Sequence, residues 1–384
     1  MENFFGDEIE KTVFISDVQL KDRKNNKLYG KYFKDTYIFN IFPQELFEKG
    51  DFLCAILPEG STPNNDILCA VYTSDSIEFY SEGKKLRIES YSLYQNIFSR
   101  NKGILETDIM SKKRVVILGC GSVGSLVAME LARSGVGNFL LADPDIIEYH
   151  NICRHQCGIE DVGDLKINAL KRKLLNINPH INISTFEGVV ENLPKQQLDD
   201  FCIPGETIFV GCADNRTADV YANRISIYYK SAFISIGFWE RACAGEIFYY
   251  IPNKNMPCYE CALGDGGDFS SRVQANHHVY SNMEDVEAIK FEPGISVDIN
   301  FITTIGIKLI IDILNSNNEN YIPRLLNYLK QYTIVCNTNN PEIGGDMLEI
   351  FSYPLQITTS LVVGFGKTQC KENGICKYEL EDNN

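Results

Sequence analysis

The sequence lacks the features of membrane, secreted and nucleic-acid-binding proteins. No uninterrupted apolar run approaches the roughly 18 residues that cross a bilayer, and the acidic start MENFFGDEIEK has no apolar signal core. Its 36 lysines and arginines are outnumbered by 51 aspartates and glutamates, which gives a net charge of −15, whereas nucleic-acid binding usually needs a basic face. We therefore expect a cytoplasmic protein that has neither a membrane nor a nucleic acid as its partner.

The chain also lacks an internal repeat, and its composition is that of a globular protein. Its 384 residues, 44% of them hydrophobic, are enough for two or three domains with sizeable cores. In a reducing compartment, its 13 cysteines predict buried thiols, metal ligands or reactive groups rather than disulfides.

The pattern of apolar residues divides the chain into three parts. Residues 1–92 carry short β-rich runs separated by turn residues, with one helix expected near 43–50, and predict a small N-terminal recognition domain. Residues 93–112 are predicted to form a helical connector. In residues 113–384, strands and helices alternate. This order predicts an α/β fold with a Rossmann-like, doubly wound, mainly parallel sheet.

A glycine-rich turn stands between the first strand and the first helix of the third part. Gly119, Gly121 and Gly124 follow the apolar run RVVIL and precede SLVAMELARSG. Glycines at this spacing let the backbone approach a phosphate at the N-terminus of a helix. The turn alone does not distinguish NAD, FAD and ATP, so the identity of the nucleotide must be inferred from the residues that follow.

An acidic residue ends the next predicted strand, 19 residues after Gly124. Asp143 is placed where a carboxylate can accept hydrogen bonds from ribose hydroxyls. A short loop then supplies a second acid, two amides and a guanidinium, namely Asp145, Asn151, Gln156 and Arg154. Arginine and amide donors beyond the ribose position favour a triphosphate, because its charges need planar, bidentate donors.

Two further charged residues are expected at the same edge of the sheet. Lys166 lies on the following helix, and Asp214 ends the run TIFVGCAD at the carboxyl edge, where such sheets bind ligands. A carboxylate there can hold Mg²⁺ that bridges phosphate oxygens. The alternatives are a solvated polar loop without a ligand and an NAD enzyme of the same fold. The polar residues in the loop after Asp143 disfavour the NAD enzyme.

Taken together, these motifs resemble the ubiquitin-activating-enzyme-like superfamily, which includes bacterial sulfur-carrier adenylyltransferases. The resemblance spans about residues 95–330 and follows the family order GCGSVGS, DPDIIEYHNICRHQ, ADNR, MPCYEC and FEPGISVDINFITTIGIKLI. It implies that the glycine turn holds ATP, that Asp143 binds ribose, that Arg154, Gln156 and Lys166 bind phosphates, and that Asp214 binds Mg²⁺. Asn151 is a less certain ligand, because NICRHQ departs from the usual family spacing.

The resemblance also implies a reaction and partners. The expected reaction is the ATP-dependent adenylation of the C-terminal carboxylate of a ubiquitin-like protein, with onward transfer to a thiol or a conjugating enzyme left open. It further implies a homodimer in which Arg100 reaches the partner's nucleotide, although an exposed connector arginine is an equal alternative. A peptide-modifying enzyme that uses the N-terminal part as a clamp, and a nucleotide-binding protein without catalysis, stay open.

Four cysteines form two local pairs. Cys258 and Cys261 have the spacing of a zinc knuckle, and Cys370 and Cys376 lie near the C-terminus with five residues between them. Four thiolates make a closed structural zinc site. The alternative is two unrelated cysteine pairs.

A transfer cysteine is missing from the segment where the resemblance places one. The predicted crossover loop, about residues 263–294, contains no cysteine. Cys243 is the nearest candidate elsewhere, although a packed strand thiol explains it equally well. Direct transfer from the adenylate to an external nucleophile is the other route.

Overall fold

The computed structural model divides the chain into two compact units. The described residues are 11–21, 27–33, 36–39, 52–63, 68–213, 215–264, 293–344, 350–362, 364–367, 370–371 and 375–378. The first unit comprises residues 1–102 together with 178–180, and the second comprises the remainder. The expected helix near 43–50 and most of the predicted crossover loop lie outside the described residues.

In its described residues, the first unit is a mixed β-sheet with two short helices. Residues that alternate along the strands, such as Val13 and Ile15, are fully buried and pack against Leu28, Ile56 and Phe79. The elements are β1 (Thr12–Ser16), α1 (Asp17–Lys21), β2 (Lys27–Phe33), β3 (Thr36–Phe39), β4 (Phe52–Leu57), β5 (Cys69–Tyr72), β6 (Ile77–Ser81), β7 (Lys84–Lys85), β8 (Arg87–Tyr91) and α2 (Leu93–Ile97).

The two strands at the edges of this sheet are consecutive in the sequence, so the sheet must curl. The strand order is β7-β6-β5-β4-β2-β3-β1-β8. The strands at the two ends, β7 and β8, are separated along the chain by Leu86 alone. Leu86 donates its backbone N–H to Phe79 of β6 at 2.8 Å. A sheet with this connection cannot be flat, because consecutive residues must reach both of its ends.

The second unit alternates strands and helices, as its sequence predicts. Its first half contains α3 (Thr107–Met110), β9 (Arg114–Leu118), α4 (Ser122–Arg133), β10 (Asn138–Ala142), α5 (Lys166–Ile177), β11 (Asn182–Phe186), α6 (Lys195–Phe201) and β12 (Thr207–Gly211). Its second half contains α7 (Arg216–Tyr228), β13 (Ala232–Phe238), β14 (Ala244–Tyr250), α8 (Tyr259–Leu263), α9 (Ser296–Leu314), β15 (Tyr332–Cys336), α10 (Pro341–Gly344) and β16 (Ile357–Ser360).

The eight strands in the described part of this unit form one sheet in the order β11-β10-β9-β12-β13-β14-β15-β16. The first five strands in that order are parallel, and β14, β15 and β16 extend the sheet in antiparallel fashion. The chain runs outward from β9 to β10 and β11 on one side, and through β12 and β13 on the other. The order therefore reverses between β9 and β12, and parallel α/β sheets bind ligands at the carboxyl end of such a reversal.

Two hydrophobic layers cover the faces of the sheet. Along β9, Val115 and Ile117 face a core that includes residues of α4, α5 and α9. Val116 and Leu118, which alternate with them, face a second core with residues of α6 and α7. This burial on both faces confirms the predicted Rossmann-like α/β fold. Within the described ranges, no helix combines the length and the apolarity needed to cross a membrane.

Candidate functional site

The glycine turn joins β9 to α4 at the reversal point of the sheet. Gly119 has a φ of +94°, in the left-handed region that favours glycine. A Cβ atom on Gly124 would lie 1.9 Å from the Gly119 carbonyl oxygen, so only glycine fits there. Gly121 is the N-cap residue just before α4 and has no side chain to cap the helix. The first backbone N–H groups of α4 are thereby suited to an anion.

Alanine at Gly124 is expected to destabilise the protein by about 1–3 kcal/mol, because the new methyl group overlaps a backbone oxygen. Chemical denaturation measures this change. Gly121→Ala is the matched control, since a Cβ at Gly121 has no neighbour within 4 Å. Its free energy of unfolding should stay within about 0.5 kcal/mol of the wild type. Equal stabilities for the two variants would contradict this explanation of the turn.

A cavity of about 380 Å³ opens beside the turn. Gly119, Gly121, Asp143, Asp145 and Lys166 line it, so the structure brings these five predicted residues together. Residues 188–191 also line it, together with Cys212, Ala213, Asn215, Ala218 and Asp219. Asp214 lies outside the described residues. The volume is within the usual range for small-molecule sites.

Asp143 is buried at the end of β10, and backbone groups hold both of its carboxylate oxygens. Its Oδ2 accepts a hydrogen bond from the Cys120 N–H at 2.6 Å, and its Oδ1 accepts one from the Asp145 N–H at 2.8 Å. The Asp143 side chain is 6% exposed. The carboxylate therefore has a fixed orientation, and it connects the end of β10 to the glycine turn.

Lys166, the first residue of α5, places its ammonium group in the same cavity. Its Nζ lies 2.7 Å from Asp145 Oδ2 and 3.9 Å from Asp143 Oδ1. Its backbone N–H also donates to the Asp145 carbonyl at 2.9 Å. The lysine side chain is 11% exposed, whereas that of Asp145 is 64% exposed. A cation thus lies in the cavity wall together with the glycine turn, where it can neutralise an anionic ligand.

Three residues of the predicted phosphate loop, Asn151, Arg154 and Gln156, are not among those that line the cavity. Asn151 closes a short 3₁₀ turn (Tyr149–Asn151), and its Oδ1 accepts the Glu148 N–H at 2.9 Å. This local bond uses the amide oxygen of Asn151. The Gln156 backbone N–H donates to Ser125 Oγ of α4 at 3.3 Å. Arg154 is half-buried, and one of its Nη atoms lies beside Gly294. The phosphate roles of these side chains stay predictions.

Two predicted catalytic residues, Arg100 and Cys243, are not among the residues that line this cavity. Arg100 is exposed and follows α2 in the first unit. Cys243 is 2% exposed and packs with Trp239, Cys336 and Phe351. Burial raises the pKa of the Cys243 thiol to about 11. A reactive cysteine needs a lowered pKa and access to solvent. These surroundings favour the packed thiol over the nucleophile.

The four cysteines of the predicted zinc site converge at a different place. The sulfurs of Cys258, Cys261, Cys370 and Cys376 all lie within 4.8 Å of one another, and all four residues are buried. The Cys261 and Cys376 sulfurs are 3.9 Å apart, close to the ~3.8 Å between ligands at the corners of a tetrahedral zinc site. These thiols could therefore hold one metal ion, as the spacing predicts.

Glu260 supports this cysteine cluster and is a residue that the sequence did not indicate. Arg224 donates to both of its carboxylate oxygens at 2.8 and 3.1 Å, Lys367 pairs with it, and the Tyr378 hydroxyl donates to it at 2.8 Å. Arg224 belongs to α7, whereas Lys367 and Tyr378 flank the C-terminal cysteines. Glu260 thus ties the second cysteine pair to the body of the unit. Its position between Cys258 and Cys261 was the only signal in the sequence.

Asp219 is a second residue that the sequence did not indicate. It lies in the first turn of α7, lines the cavity, and is 1% exposed. Ser235 Oγ of β13 donates to its carboxylate at 2.7 Å. The contact depends on the pairing of β12 with β13, so no local pattern reveals it.

The reversal of the sheet, the glycine turn and the acidic strand end define a nucleotide-binding domain of the Rossmann type. A model described as the ThiF family matches residues 95–341, more than half of the chain, and the chain belongs to this family. The resemblance to ubiquitin-activating enzymes is thereby confirmed.

Two curated relatives are similar to this chain over part of their length. The adenylyltransferase and sulfurtransferase UBA4 of Candida glabrata is 26% identical over 64% of this chain and 54% of its own. Ubiquitin-like modifier-activating enzyme 5 of Caenorhabditis elegans is 30% identical over 41% of this chain and 39% of its own. The chain thus spans about half or less of these relatives.

Among solved structures, that of E. coli MccB with ATP is similar at 22% identity and a TM-score of 0.47, covering 66% of this chain and 65% of that one. The structure of MccB with MccA-N7isoASN has 23% identity and the same TM-score, and covers 66% of each chain.

Proposed function

We propose that this chain uses ATP to adenylate the C-terminal carboxylate of a ubiquitin-like protein. The observation that carries the proposal is the cavity at the reversal of the sheet, where Asp143, Asp145 and Lys166 meet the glycine turn. The name of the relative ubiquitin-like modifier-activating enzyme 5 supports a ubiquitin-like protein as the acyl substrate.

In the proposed reaction, a carboxylate oxygen of the substrate attacks the α-phosphorus of ATP. The bond from that phosphorus to the oxygen bridging the α- and β-phosphates breaks, pyrophosphate leaves, and an acyl adenylate forms. Both reactants are anions, so positioning and charge neutralisation carry the catalysis. Lys166 and Arg154 are the proposed cations, Asn151 and Gln156 donate to phosphate oxygens, and Asp143 binds ribose.

Asp214 is the proposed ligand of Mg²⁺. The described cavity fits this ion, because Asp145 and Asp219 supply carboxylates to its lining and Mg²⁺ prefers oxygen ligands. When bound, the ion would neutralise charge on the phosphate oxygens.

For the fate of the adenylate, we propose direct transfer to an external nucleophile, such as a thiol of a conjugating enzyme. The burial of Cys243 and the raised pKa of its thiol support this route over a thioester on Cys243.

We also propose a cytoplasmic homodimer in which Arg100 of one subunit reaches the nucleotide of the other. An arginine supplied in trans would stabilise charge in the transition state.

Exchange of labelled pyrophosphate into ATP tests the proposed adenylation. With Mg²⁺ present, exchange is expected to require a ubiquitin-like protein that ends in glycine. The same protein without its terminal glycine is the matched control. Asp214→Ala is expected to abolish exchange, because it removes the proposed Mg²⁺ ligand.

Other outcomes of this assay select other functions. Exchange with short peptide carboxylates, and none with ubiquitin-like proteins, would select the peptide-modifying alternative. NADH binding without ATP binding would exclude adenylation. On a non-reducing gel, a thiol-sensitive adduct of the substrate that Cys243→Ala removes would contradict direct transfer.

A further inference from the structure

His155 is a buried residue of the predicted phosphate loop for which the sequence suggested no role. It is 8% exposed, and both of its ring nitrogens contact backbone groups. The Cys157 N–H lies 3.0 Å from Nδ1, and the Cys120 carbonyl oxygen lies 2.7 Å from Nε2. These contacts determine the tautomer. An N–H can only donate, so Nδ1 must be the acceptor, and Nε2 must carry the proton that it donates to Cys120.

We propose that His155 is a positioning residue that fixes the glycine turn of the nucleotide site by means of its neutral Nε2–H tautomer. This inference rests on the proposed function of that site. Cys120 is the second residue of the turn, between Gly119 and Gly121. Its N–H is held by Asp143, and its carbonyl is held by His155. The peptide groups on both sides of Cys120 are therefore fixed in orientation.

Through this ring, three segments of the site are connected. They are the turn after β9, the end of β10 at Asp143, and the loop that carries Arg154 and Gln156 on either side of His155. His155 is not among the residues that line the cavity, so it acts through the groups that it holds.

Protonation of His155 is expected to break this arrangement. A proton on Nδ1 would point at the Cys157 N–H, which places two donors against each other. Burial lowers the pKa of His155 below its ordinary value of 6.5, while its bond to Cys120 acts in the opposite direction. Of the charged groups that face the ring, Lys166 also lowers this pKa, and Asp143 and Asp161 raise it.

The direction of the pH effect follows from this lowered pKa. The unfolded chain takes up the proton near pH 6.5, before the folded chain does, so the contribution of His155 to stability is complete above that pH. It is lost as the pH falls below 6.5 toward the pKa of the folded state. The affinity for the nucleotide is expected to fall in the same direction, once the ring is charged.

Binding of ATP with Mg²⁺, measured by titration calorimetry, tests the proposal with two variants and a control. His155→Leu leaves the buried Cys120 carbonyl without its donor and is expected to raise the Kd for ATP about tenfold at pH 7.5. His155→Gln supplies an amide N–H that reaches the same carbonyl and does not titrate. It should bind ATP within about threefold of the wild type at pH 7.5. His150→Gln, an exposed histidine of the same loop, is the matched control and should not change the Kd.

The pH profile separates positioning from a purely structural role. As the pH is lowered from 7.5 until long-range ¹H–¹⁵N spectra show a protonated His155 ring, the Kd of the wild type should rise more than that of His155→Gln. Equal pH profiles of the two proteins, or an unchanged Kd in both His155 variants, would overturn the proposal. A wild-type protein that does not bind ATP would instead overturn the proposed function of the site.

The ring itself can be observed without any nucleotide. Long-range ¹H–¹⁵N spectra at pH 7.5 identify the His155 signal as the one that is lost in His155→Gln. In the wild type, this signal should be that of a neutral Nε2–H ring. This measurement needs only the folded wild type and the Gln variant, so it stays decisive if His155→Leu does not fold. An Nδ1–H tautomer, or a protonated ring at pH 7.5, would refute the assignment.

Discussion

Lys166→Ala is expected to lower the rate of ATP–pyrophosphate exchange by about 10²–10³-fold, the usual cost of removing one preorganised group that stabilises the charge of a transition state. The ammonium group lies in the cavity wall and is 11% exposed, so water screens it little. It is also held in place by carboxylates at 2.7 and 3.9 Å. The cation therefore needs no reorganisation when the phosphates of ATP bind.

A second lysine of α5 provides the control. Lys171 lies on the same helix, five residues after Lys166, and does not line the cavity. Lys171→Ala should retain exchange within about twofold, because surface substitutions away from a site have small effects. Thermal unfolding of both variants must show that the loss of Lys166 leaves the fold intact. Exchange by a folded Lys166→Ala protein at the wild-type rate would exclude this lysine from the reaction.

Loss of the metal is expected to have the largest effect on stability. Elemental analysis should find about one zinc per chain, and Cys258→Ser should remove it, because a tetrathiolate site needs all four ligands. Zinc supplies about 10–16 kcal/mol when it binds small peptide sites. We therefore expect the free energy of unfolding to fall by several kcal/mol, either in this variant or after treatment with a chelator.

Two further variants make the zinc experiment specific. Cys153→Ser replaces an exposed thiol outside the cluster and should leave the zinc content unchanged. Glu260→Gln keeps all four thiols but weakens the contacts of Arg224 and Lys367. It should lower the affinity for zinc about 10–100-fold, as is usual for residues that support metal ligands. Undiminished zinc in a Cys370→Ser, Cys376→Ser double variant would show that the second pair is not part of the site.

The parts of the site that the sequence predicted are those that local geometry determines. Gly119 and Gly124 are read directly from a strand, a turn and a helix that are contiguous in sequence. Asp143 was also predictable, because a parallel strand after one helix must end beside the same turn. Lys166 is the first residue of the next helix, α5, and lines the same cavity.

The parts that the sequence did not predict depend on groups that meet only in the folded chain. The strand β15 extends the sheet by pairing with β14, which ends more than 80 residues before β15 begins, and β16 then pairs with β15. The tautomer of His155 depends on Cys120, 35 residues earlier. Hydrogen bonds of this kind leave no periodicity in a sequence.

The curled sheet of the first unit has a consequence for how other chains can approach it. A sheet usually recognises an extended peptide by adding it as a further strand at a free edge. Here one terminal strand, β7, is only Lys84 and Lys85, and the other, β8, carries Arg87 and Glu89. Short edges that carry charged side chains resist strand addition. These two strands therefore protect the unit against unwanted β-pairing, and a partner of this unit would have to bind elsewhere on its surface.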